Sequence, residues 1–580
     1  MKSLLVYLKD YKKETILAPL FKMLEATFEL FVPLVMAAII DKGIAGVDKE
    51  YITGMSFVLI LLGLIGLICS ITAQYFSAKA ACGFAAKLKI ALFDRIQKMS
   101  FSSIDQVGAS TMINRMTTDV NQVQTGVNMV LRLFLRSPFI VFGAMIMAFT
   151  IDVKAALIFV VVIPVLSIIV FGIMMVTIPL YKNVQRQLDS VLEKTRENLT
   201  GIRVIRAFGK EEEEIDEFEN RNNALTKLQQ YVGKISALMN PVTYVIINVA
   251  IVVLIYTGAI RVDAGVLSQG EVVGLYNYMS QILVELIKLA NLIITVTKAV
   301  AGAQRIEAVF QIPLDEIVRK HQEKETDGTQ SGDKVEFRHV SLAYKNAGEE
   351  ALSDIDFSVK AGETVGIIGG TGSGKTSIVH LIPGFYPATK GQVLIDGKDV
   401  KEYDPEVLRN KIGIVMQKAV LFKGTIRENM KWGKKDASDE EIMEAIETAQ
   451  AKDILLKKEH GLDELIEQGG KNLSGGQRQR LSIARALVRK PEILILDDSA
   501  SALDYATDAA LRKSLQKLEY HPTVFIVSQR TSSIMHADKI IVLEDGAVTG
   551  VGTHKELLEF CTVYREIYES QFKKEQEGVS

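Results

Sequence analysis

The stretch that decides the fold is Gly369-Gly370-Thr371-Gly372-Ser373-Gly374-Lys375-Thr376, which fits the phosphate-loop pattern G-x-x-x-x-G-K-[ST] at every defined position. It follows the apolar run Thr364 to Ile368 and opens a helical segment that stops near Pro383-Gly384. Glycines allow successive backbone N–H groups to curl around a polyphosphate at the positive end of a helix. The sequence therefore predicts a strand, a polyphosphate-binding loop and a helix within an α/β domain.

Two side chains of this loop have defined chemical roles in the pattern. Lys375 places a positive charge at the β- and γ-phosphates, and Thr376 offers its hydroxyl to Mg²⁺. A second apolar run, Ile493 to Asp497, predicts a buried strand that ends in an acid at the carboxyl edge of a sheet, where α/β proteins bind ligands. Asp497 is expected to hold Mg²⁺ through water.

Between these two features lies Leu473-Ser474-Gly475-Gly476-Gln477, followed by a predicted helix from Arg478 to Val488. This segment places another helix N-terminus on the surface, with no phosphate of its own to bind.

Composition divides the chain into two halves. Of its 580 residues, those from 14 to 300 carry nearly all the long apolar runs, and those from about 332 onward have the composition of a soluble α/β domain. A formal net charge of -2 gives no basic excess, which argues against nucleic acid as a partner. A membrane half joined to a soluble half is predicted.

The first half contains six predicted spanning helices, since about 20 mainly apolar residues are needed to cross a bilayer. Three runs lack charge altogether, and three are interrupted by charged residues. The six spans are predicted near 15–41, 52–78, 128–151, 155–181, 236–260 and 272–298.

An even number of crossings returns the chain to its starting side, so both termini are predicted in the same compartment. The connections 79–127 and 182–234 are long and rich in Lys and Arg, which predicts that they are cytoplasmic. Two stretches in them, 101–105 and 201–208, are suited to contact with the soluble half. The chain is thus expected in the cell (inner) membrane, with cytoplasmic termini.

Domain boundaries follow from the same patterns. Residues 1–13 are predicted as an interfacial helix, with a frayed, solvated terminus as the alternative. The transmembrane domain is predicted over 14–310, a charged linker over 311–332, and the nucleotide-binding domain over 333–575.

Charged residues inside the spans admit two interpretations. Glu25 and Glu29 share a helical face in the first span, and Glu285 lies in the sixth. Because ionisable groups in a membrane are costly, they either pair with nearby Lys and Arg or line a cavity. In the second case the three carboxylates would attract cationic amphipathic compounds.

The soluble half resembles the cassette of ABC transporters, and the six-span half resembles the exporter-type membrane domain. The resemblance implies that Tyr344 stacks on adenine, that Gln417 in Met416-Gln417-Lys418 is the Q-loop residue, and that ATP and Mg²⁺ are the cofactors. It assigns Mg²⁺ to Thr376, Gln417 and Asp497. It assigns ATP binding to Tyr344, Gly369, Gly370, Thr371, Gly372, Ser373, Gly374, Lys375, Thr376, Ser377 and Gln417.

The same resemblance makes Leu473 to Gln477 the signature that caps ATP held by the opposite subunit, and Ser501 to Asp504 the D-loop. The residues expected to act on the partner's site are Ser474, Gly475, Gly476, Gln477 and Asp504. The two loop stretches correspond to coupling helices. One cassette and one six-span unit are present, so the chain must dimerise to work.

Two positions depart from the family pattern. Asp498 stands where the family places a glutamate that polarises the attacking water, and Gln529 replaces the switch histidine. Aspartate is one methylene shorter, glutamine cannot carry a positive charge, and neither change touches the groups that bind ATP. We predict a site that binds ATP tightly and hydrolyses it slowly.

A second, different half-transporter subunit is therefore expected, forming a heterodimer whose hydrolytic site is completed by this chain's signature. A homodimer that tolerates Asp498 and Gln529 is the alternative. The predicted activity is ATP-driven export of hydrophobic or amphipathic compounds, as in bacterial multidrug pumps. Export of a defined lipid or peptide, and a nucleotide-gated regulatory subunit, are the two competing hypotheses.

Overall fold

The structure is a computed structural model that describes residues 3–314, 332–345 and 347–577. The chain divides into two compact units. The first comprises Met1–Gln97 and Ala109–Ile312, and the second comprises Lys98–Gly108 and Pro313–Ser580. The short segment from the first long loop thus belongs to the same unit as the soluble half.

All regular secondary structure in the described residues of the first unit is helical. Its helices are α1 Lys12–Ala38, α2 Lys49–Gln97, α4 Ala109–Asn114, α5 Val120–Leu133, α6 Arg136–Ile151, α7 Val153–Phe208, α8 Glu211–Ala237, α9 Met239–Asp263 and α10 Gln269–Gln311, and α3 Phe101–Val107 lies in the second unit. Asp152 caps α7 by accepting from the Ala155 N–H at 2.8 Å. Ser268 and Glu271 form a reciprocal capping box at the start of α10.

Six continuous helical runs are long and apolar enough to cross a membrane, within the part of the chain that the structure describes. They are Leu4–Ile44, Lys49–Gln97, Ala109–Ile151, Val153–Phe208, Glu211–Asp263 and Gln269–Gln311. The predicted number of spans is confirmed. With 56 residues, α7 is about 84 Å long at 1.5 Å per residue, far more than a hydrocarbon core of about 30 Å. The spanning helices therefore continue well beyond a bilayer.

The core of the first unit lies where α6, α7, α9 and α10 pack together. Tyr278 is completely buried there, and its hydroxyl donates to the Leu30 carbonyl at 2.6 Å. A Cβ on Gly126 would lie 2.2 Å from the Ala299 Cβ, so these two small residues let α5 and α10 approach closely.

Two predicted domain boundaries lie at the ends of the membrane half. Residues Leu4–Tyr11 form a helical segment that leads into α1, and Met1 and Lys2 of the predicted interfacial helix lie outside the described residues. Most of the predicted linker, residues 315–331, also lies outside them. Helix α10 ends at Gln311, where that linker was predicted to begin.

The second unit is built on an α/β fold with two main sheets. Its strands are β1 Asp333–Leu342, β2 Leu352–Lys360, β3 Thr364–Gly369, β4 Lys390–Ile395, β5 Lys398–Asp399, β6 Ile412–Val415, β7 Gly424–Thr425, β8 Leu465–Ile466, β9 Ile493–Asp497, β10 Thr523–Val527, β11 Lys539–Glu544 and β12 Ala547–Gly552. Its further helices are α11 Lys375–Leu381, α12 Pro405–Lys411, α13 Ile426–Met430, α14 Asp439–Thr448, α15 Lys452–Leu456, α16 Gly475–Leu487, α17 Tyr505–Leu515, α18 Thr531–Ile534, α19 His554–Phe560 and α20 Thr562–Glu577.

The six-stranded sheet has the order β12-β11-β3-β10-β9-β6, and all neighbours except β12 and β11 are parallel. Every residue of β9 and β10 is buried, which explains why both strands are continuous apolar runs. A four-stranded antiparallel sheet has the order β2-β1-β4-β5. The predicted fold class, six membrane helices plus an α/β cassette, is confirmed.

Helix α16 begins at Gly475, three residues before the predicted start at Arg478. The Ser474 hydroxyl accepts from the Gln477 N–H at 3.3 Å, and the Gln477 side chain accepts from the Ser474 N–H at 2.9 Å. This capping box stabilises the first turn and allows two glycines to be helical.

Candidate nucleotide-binding site

The phosphate loop connects β3 to α11. Gly372 and Gly374 have φ angles of 85° and 92°, in the left-handed region that side chains disfavour. A Cβ on Gly374 would also lie 2.6 Å from Leu352 Cδ2, so both backbone conformation and space require glycine there. The loop pattern is thus set by backbone geometry.

Lys375 lies buried inside the loop. Its ammonium donates to the Gly369 carbonyl at 2.9 Å and to the Gly370 carbonyl at 2.5 Å. Burial lowers the pKa of Lys375, and the carboxylates of Asp498 and Asp497 partly oppose this effect. A phosphate is a better partner for the ammonium than two carbonyls, because its negative charge adds a Coulombic attraction that neutral carbonyl groups lack.

The residues predicted to hold Mg²⁺ converge. Thr376 Oγ1 donates to Asp497 Oδ1 at 3.1 Å, which joins the start of α11 to the end of β9. Asp497 is almost fully buried. Burial raises its pKa, the charge of Asp498 adds to this effect, and the hydrogen bond from Thr376 partly opposes it. A hydroxyl and a carboxylate at this distance suit Mg²⁺, which binds oxygen ligands and takes one or two carboxylates together with phosphate oxygens.

Asp498 follows directly, with φ 44° and ψ 31°. Aspartate tolerates this left-handed conformation better than most residues. Its Oδ2 accepts from Gln417 Nε2 at 3.2 Å, so the Q-loop amide contacts the position of the predicted general base. Burial is the main cause that raises the pKa of Asp498.

These side chains line one cleft of about 330 Å³ in the cassette. Its lining residues are Tyr344, Ala351, Thr371, Gly372, Gly374, Lys375, Thr376, Ser377, Gln417, Asp497, Asp498, Val527, Ser528 and Gln529. The structure thus gathers eleven of the residues predicted from sequence. Gly369, Gly370 and Ser373 complete the loop behind it.

Tyr344 is held in its orientation by two contacts. Its hydroxyl lies 2.9 Å from Ser377 Oγ, and its ring makes an edge contact with Tyr386 at 5.1 Å between ring centroids.

His380 is a neighbour of the site that sequence reasoning missed. Its Nε2 lies 3.9 Å from Asp497 Oδ2, and its ring stacks on Tyr386. Burial lowers the pKa of His380. The sequence could have identified His380 by its spacing: it follows Thr376 by four residues in a predicted helix, which places both side chains on the same helix face.

The signature and the D-loop are not among the residues that line this cleft in the described part of the cassette. Ser474, Gly475 and Gly476 mark the exposed start of α16. Asp504 caps α17 by accepting from the Thr507 N–H at 2.8 Å and the Thr507 hydroxyl at 2.9 Å. Both segments are ordered by their own helix caps.

The first predicted coupling stretch packs within the second unit. The ring of Phe101 stacks on Phe385 with centroids 4.3 Å apart, and the Tyr386 hydroxyl donates to Asp105 Oδ2 at 2.5 Å. Tyr386 also touches Tyr344, so one aromatic cluster links α3 to the nucleotide cleft. In the first unit, the second stretch ends α7 with Val204 and Phe208, which are 60% and 74% exposed.

The three carboxylates of the membrane spans all have cationic partners. Arg136 bridges Glu285 and Glu29, each at 2.7 Å, and Lys22 pairs with Glu25 at 2.6 Å. Glu29 and Glu285 also line a cleft of about 450 Å³ between helices of the first unit. The pairing favours the first of the two interpretations of these charges.

Comparisons with known proteins agree with this geometry. The family model of the ABC transporter transmembrane region matches residues 15–286, and that of the ABC transporter matches residues 352–501. An ABC transporter ATP-binding protein of Bacillus subtilis (strain 168), YfiB, is 37% identical over 99% of both chains. YgaD of the same organism, provisionally named a multidrug export ATP-binding/permease protein, is 32% identical over 98% of this chain and 99% of its own.

Two further similarities bear on the fold and on the range of relatives. The ATP-dependent lipid A-core flippase of Syntrophus aciditrophicus (strain SB) is 31% identical over 92% of this chain and 88% of its own. A solved bacterial Atm1-family ABC exporter with ATP bound has a TM-score of 0.79 at 22% identity, covering 97% of this chain and 98% of that one. The six-helix unit, the phosphate loop and these full-length matches show that the chain belongs to the ABC transporter family, as an exporter-type half-transporter that couples an ATPase to transport across a membrane.

Proposed function

We propose that this chain is one subunit of a heterodimeric exporter of hydrophobic or amphipathic compounds, and that it carries the less hydrolytic of two ATP sites. The observation that carries this proposal is the composition of the cleft. Lys375, Thr376 and Asp497 keep the side chains that bind phosphate and Mg²⁺, whereas Asp498 and Gln529 stand at the two positions that serve hydrolysis.

The binding half of the site supports tight nucleotide binding. Loop N–H groups and Lys375 bind the phosphates, Tyr344 stacks on the adenine, and Thr376, Gln417 and Asp497 hold Mg²⁺. Bound Mg²⁺ neutralises charge on the β- and γ-phosphate oxygens.

The hydrolytic half is weakened by side-chain length. The shorter carboxylate of Asp498 lies more than about 1 Å behind the position a glutamate reaches, and a misplacement of that size costs about 100-fold in rate. Gln417 donates to the same carboxylate and holds it toward the Q-loop. Gln529 offers an amide in place of an imidazole that can be protonated.

A second subunit is needed because a signature acts on the nucleotide of the opposite cassette. In this chain Ser474 and Gly475 are exposed and Gly476 and Gln477 are half-buried in the capped first turn of α16. The proposed partner is a different half-transporter that supplies a hydrolytic site, which this signature and Asp504 complete. A homodimer with two weakened sites would be a slow pump.

The proposed substrates are hydrophobic or amphipathic, in keeping with the relative provisionally named for multidrug export. Because Arg136 and Lys22 engage the intramembrane carboxylates, recognition by those carboxylates alone is disfavoured. A defined lipid is the second candidate, since another relative is named as a lipid flippase. The proposed location is the cell (inner) membrane, with both termini, the cassette and the long loops in the cytoplasm.

The test is ATP turnover by the purified chain alone and by the chain paired with a second half-transporter. The expected result is slow turnover alone and fast turnover in the pair. In the pair, Asp498→Asn should change the rate less than twofold, and Ser474→Arg, which blocks the signature, should abolish it. Vigorous turnover by the chain alone that Asp498→Asn removes would show a homodimeric pump instead.

A further inference from the structure

The last helix of the chain reaches the nucleotide site through one side chain, Gln571 on α20. Its Oε1 accepts from the Thr531 N–H at 2.9 Å and from the Thr531 hydroxyl at 2.6 Å, and its Nε2 donates to the Gln529 carbonyl at 2.7 Å. Both ends of the amide are therefore engaged by residues 40 and 42 positions earlier in the chain.

The segment that Gln571 holds connects β10 to α18. Its residues Ser528 and Gln529 line the nucleotide cleft. Strand β10 pairs with β9 so that Val527 lies opposite Asp497, and the segment that follows β10 therefore begins beside the end of β9. Because this segment lines the same cleft as Lys375, the terminal phosphate of a bound nucleotide is expected beside it.

The same segment is also tied to the D-loop. The Arg530 guanidinium donates to the Leu503 carbonyl at 3.2 Å and lies 5.0 Å from the ring centroid of Tyr505. The Arg530 N–H donates to Ser528 Oγ at 2.9 Å. Gln571 and Arg530 thus fix one short segment from two directions.

Helix α20 is a firm support for this contact. Tyr564 is completely buried in the same hydrophobic core as Ile534 of α18, and its hydroxyl lies 2.8 Å from His554 Nδ1. The base of the helix is therefore packed two turns before Gln571, and the amide is presented from a fixed position.

We propose that Gln571 is a positioning residue for the nucleotide site. By holding the Gln529 carbonyl and the Thr531 N–H together, it sets where the Gln529 side chain meets the terminal phosphate. This inference rests on the proposed ATP site and adds a residue of the C-terminal helix to it. The amide is required because a donor and an acceptor are both used, so glutamate cannot replace it: a carboxylate would face the Gln529 carbonyl without a hydrogen.

The experiment is calorimetric titration of the full chain in lipid nanodiscs with AMP-PNP and, separately, with ADP. The variants are Gln571→Ala and Gln571→Glu, the second of which keeps the length and the acceptor. The control is Ser570→Ala, whose hydroxyl donates within α20 to the Ile567 carbonyl at 2.8 Å. We expect both Gln571 variants to weaken AMP-PNP binding by about three- to tenfold, the effect of one ordinary hydrogen bond, with ADP binding changed less than twofold.

Equal losses for AMP-PNP and ADP would overturn the inference, because they would indicate general loosening of the cassette. Unchanged AMP-PNP binding in Gln571→Glu would overturn it as well. Failure of the parent chain to bind either nucleotide is a separate result that refutes the proposed function itself.

Discussion

Restoring the two hydrolytic positions should turn this chain's site into a faster one. Asp498→Glu adds one carbon–carbon bond of about 1.5 Å, which moves the carboxylate forward by more than about 1 Å. Since a misplacement of about 1 Å costs about 100-fold, most of that factor should return once Gln529→His is added. The single Asp498→Glu variant should gain less, because the switch position remains uncharged.

The assay is ATP turnover in a pair whose partner has an inactivated hydrolytic site, so that residual turnover reports the site of this chain. The variants are Asp498→Glu, Gln529→His, the double variant and Asp498→Asn. Nucleotide affinity should stay within twofold of the parent, because Lys375 and Thr376 are untouched. Thermal melting is measured alongside, since Asp498 lies in the left-handed region, where glutamate is less favourable.

One result would refute the reasoning: a double variant that folds and binds ATP as the parent does, with no gain in turnover. Parent turnover in the range of about 1 to 1,000 per second, typical of enzymes and lost in Asp498→Asn, would refute it equally. In that case aspartate at position 498 would be a competent base and the heterodimer argument would lose its basis.

Three further predictions follow from single contacts. Lys375→Ala should weaken ATP binding about 10- to 100-fold in an equilibrium titration, since a charged hydrogen-bond donor is lost, and unchanged affinity would contradict the assignment of the loop. Arg136→Met should lower the free energy of unfolding by about 3–5 kcal/mol, because Glu285 would stay buried without its arginine. Thermal unfolding in detergent checks this, and an unchanged melting temperature would show that Lys288 suffices. Burial lowers the pKa of His380 below its usual 6.5, so the folded state binds this proton less readily than the unfolded state. Its contribution to stability is present above pH 6.5 and is lost as pH falls. The melting temperature of His380→Gln should therefore change less between pH 7 and pH 5 than that of the parent. A parallel pH dependence in parent and variant would contradict this.

Much of the nucleotide site was predictable because its determinants are local. The loop from Gly369 to Thr376 needs only the order strand, loop and helix to present its N–H groups. Asp497 was predictable for the same reason, since an acid at the end of a buried strand lies at the edge where such sheets bind ligands. His380 was missed because it has no motif, although its helical spacing from Thr376 was visible.

The start of α16 shows where local reasoning fell short. Two glycines after Ser474 suggest a loop, because glycine disfavours helix interiors by about 1 kcal/mol. The reciprocal bonds between Ser474 and Gln477 offset that cost and begin the helix three residues earlier.

The sequence by itself determined the six membrane-spanning helices, the α/β cassette and most of the side chains that line the nucleotide cleft, because hydrophobic periodicity and motif spacing act over short stretches of chain. Only the tertiary structure decided which distant side chains meet. Arg136 joins Glu29 and Glu285 across three helices, Phe101 stacks on Phe385, and Gln571 holds a segment 42 residues away. Such contacts depend on strand order and helix packing, which no local pattern encodes.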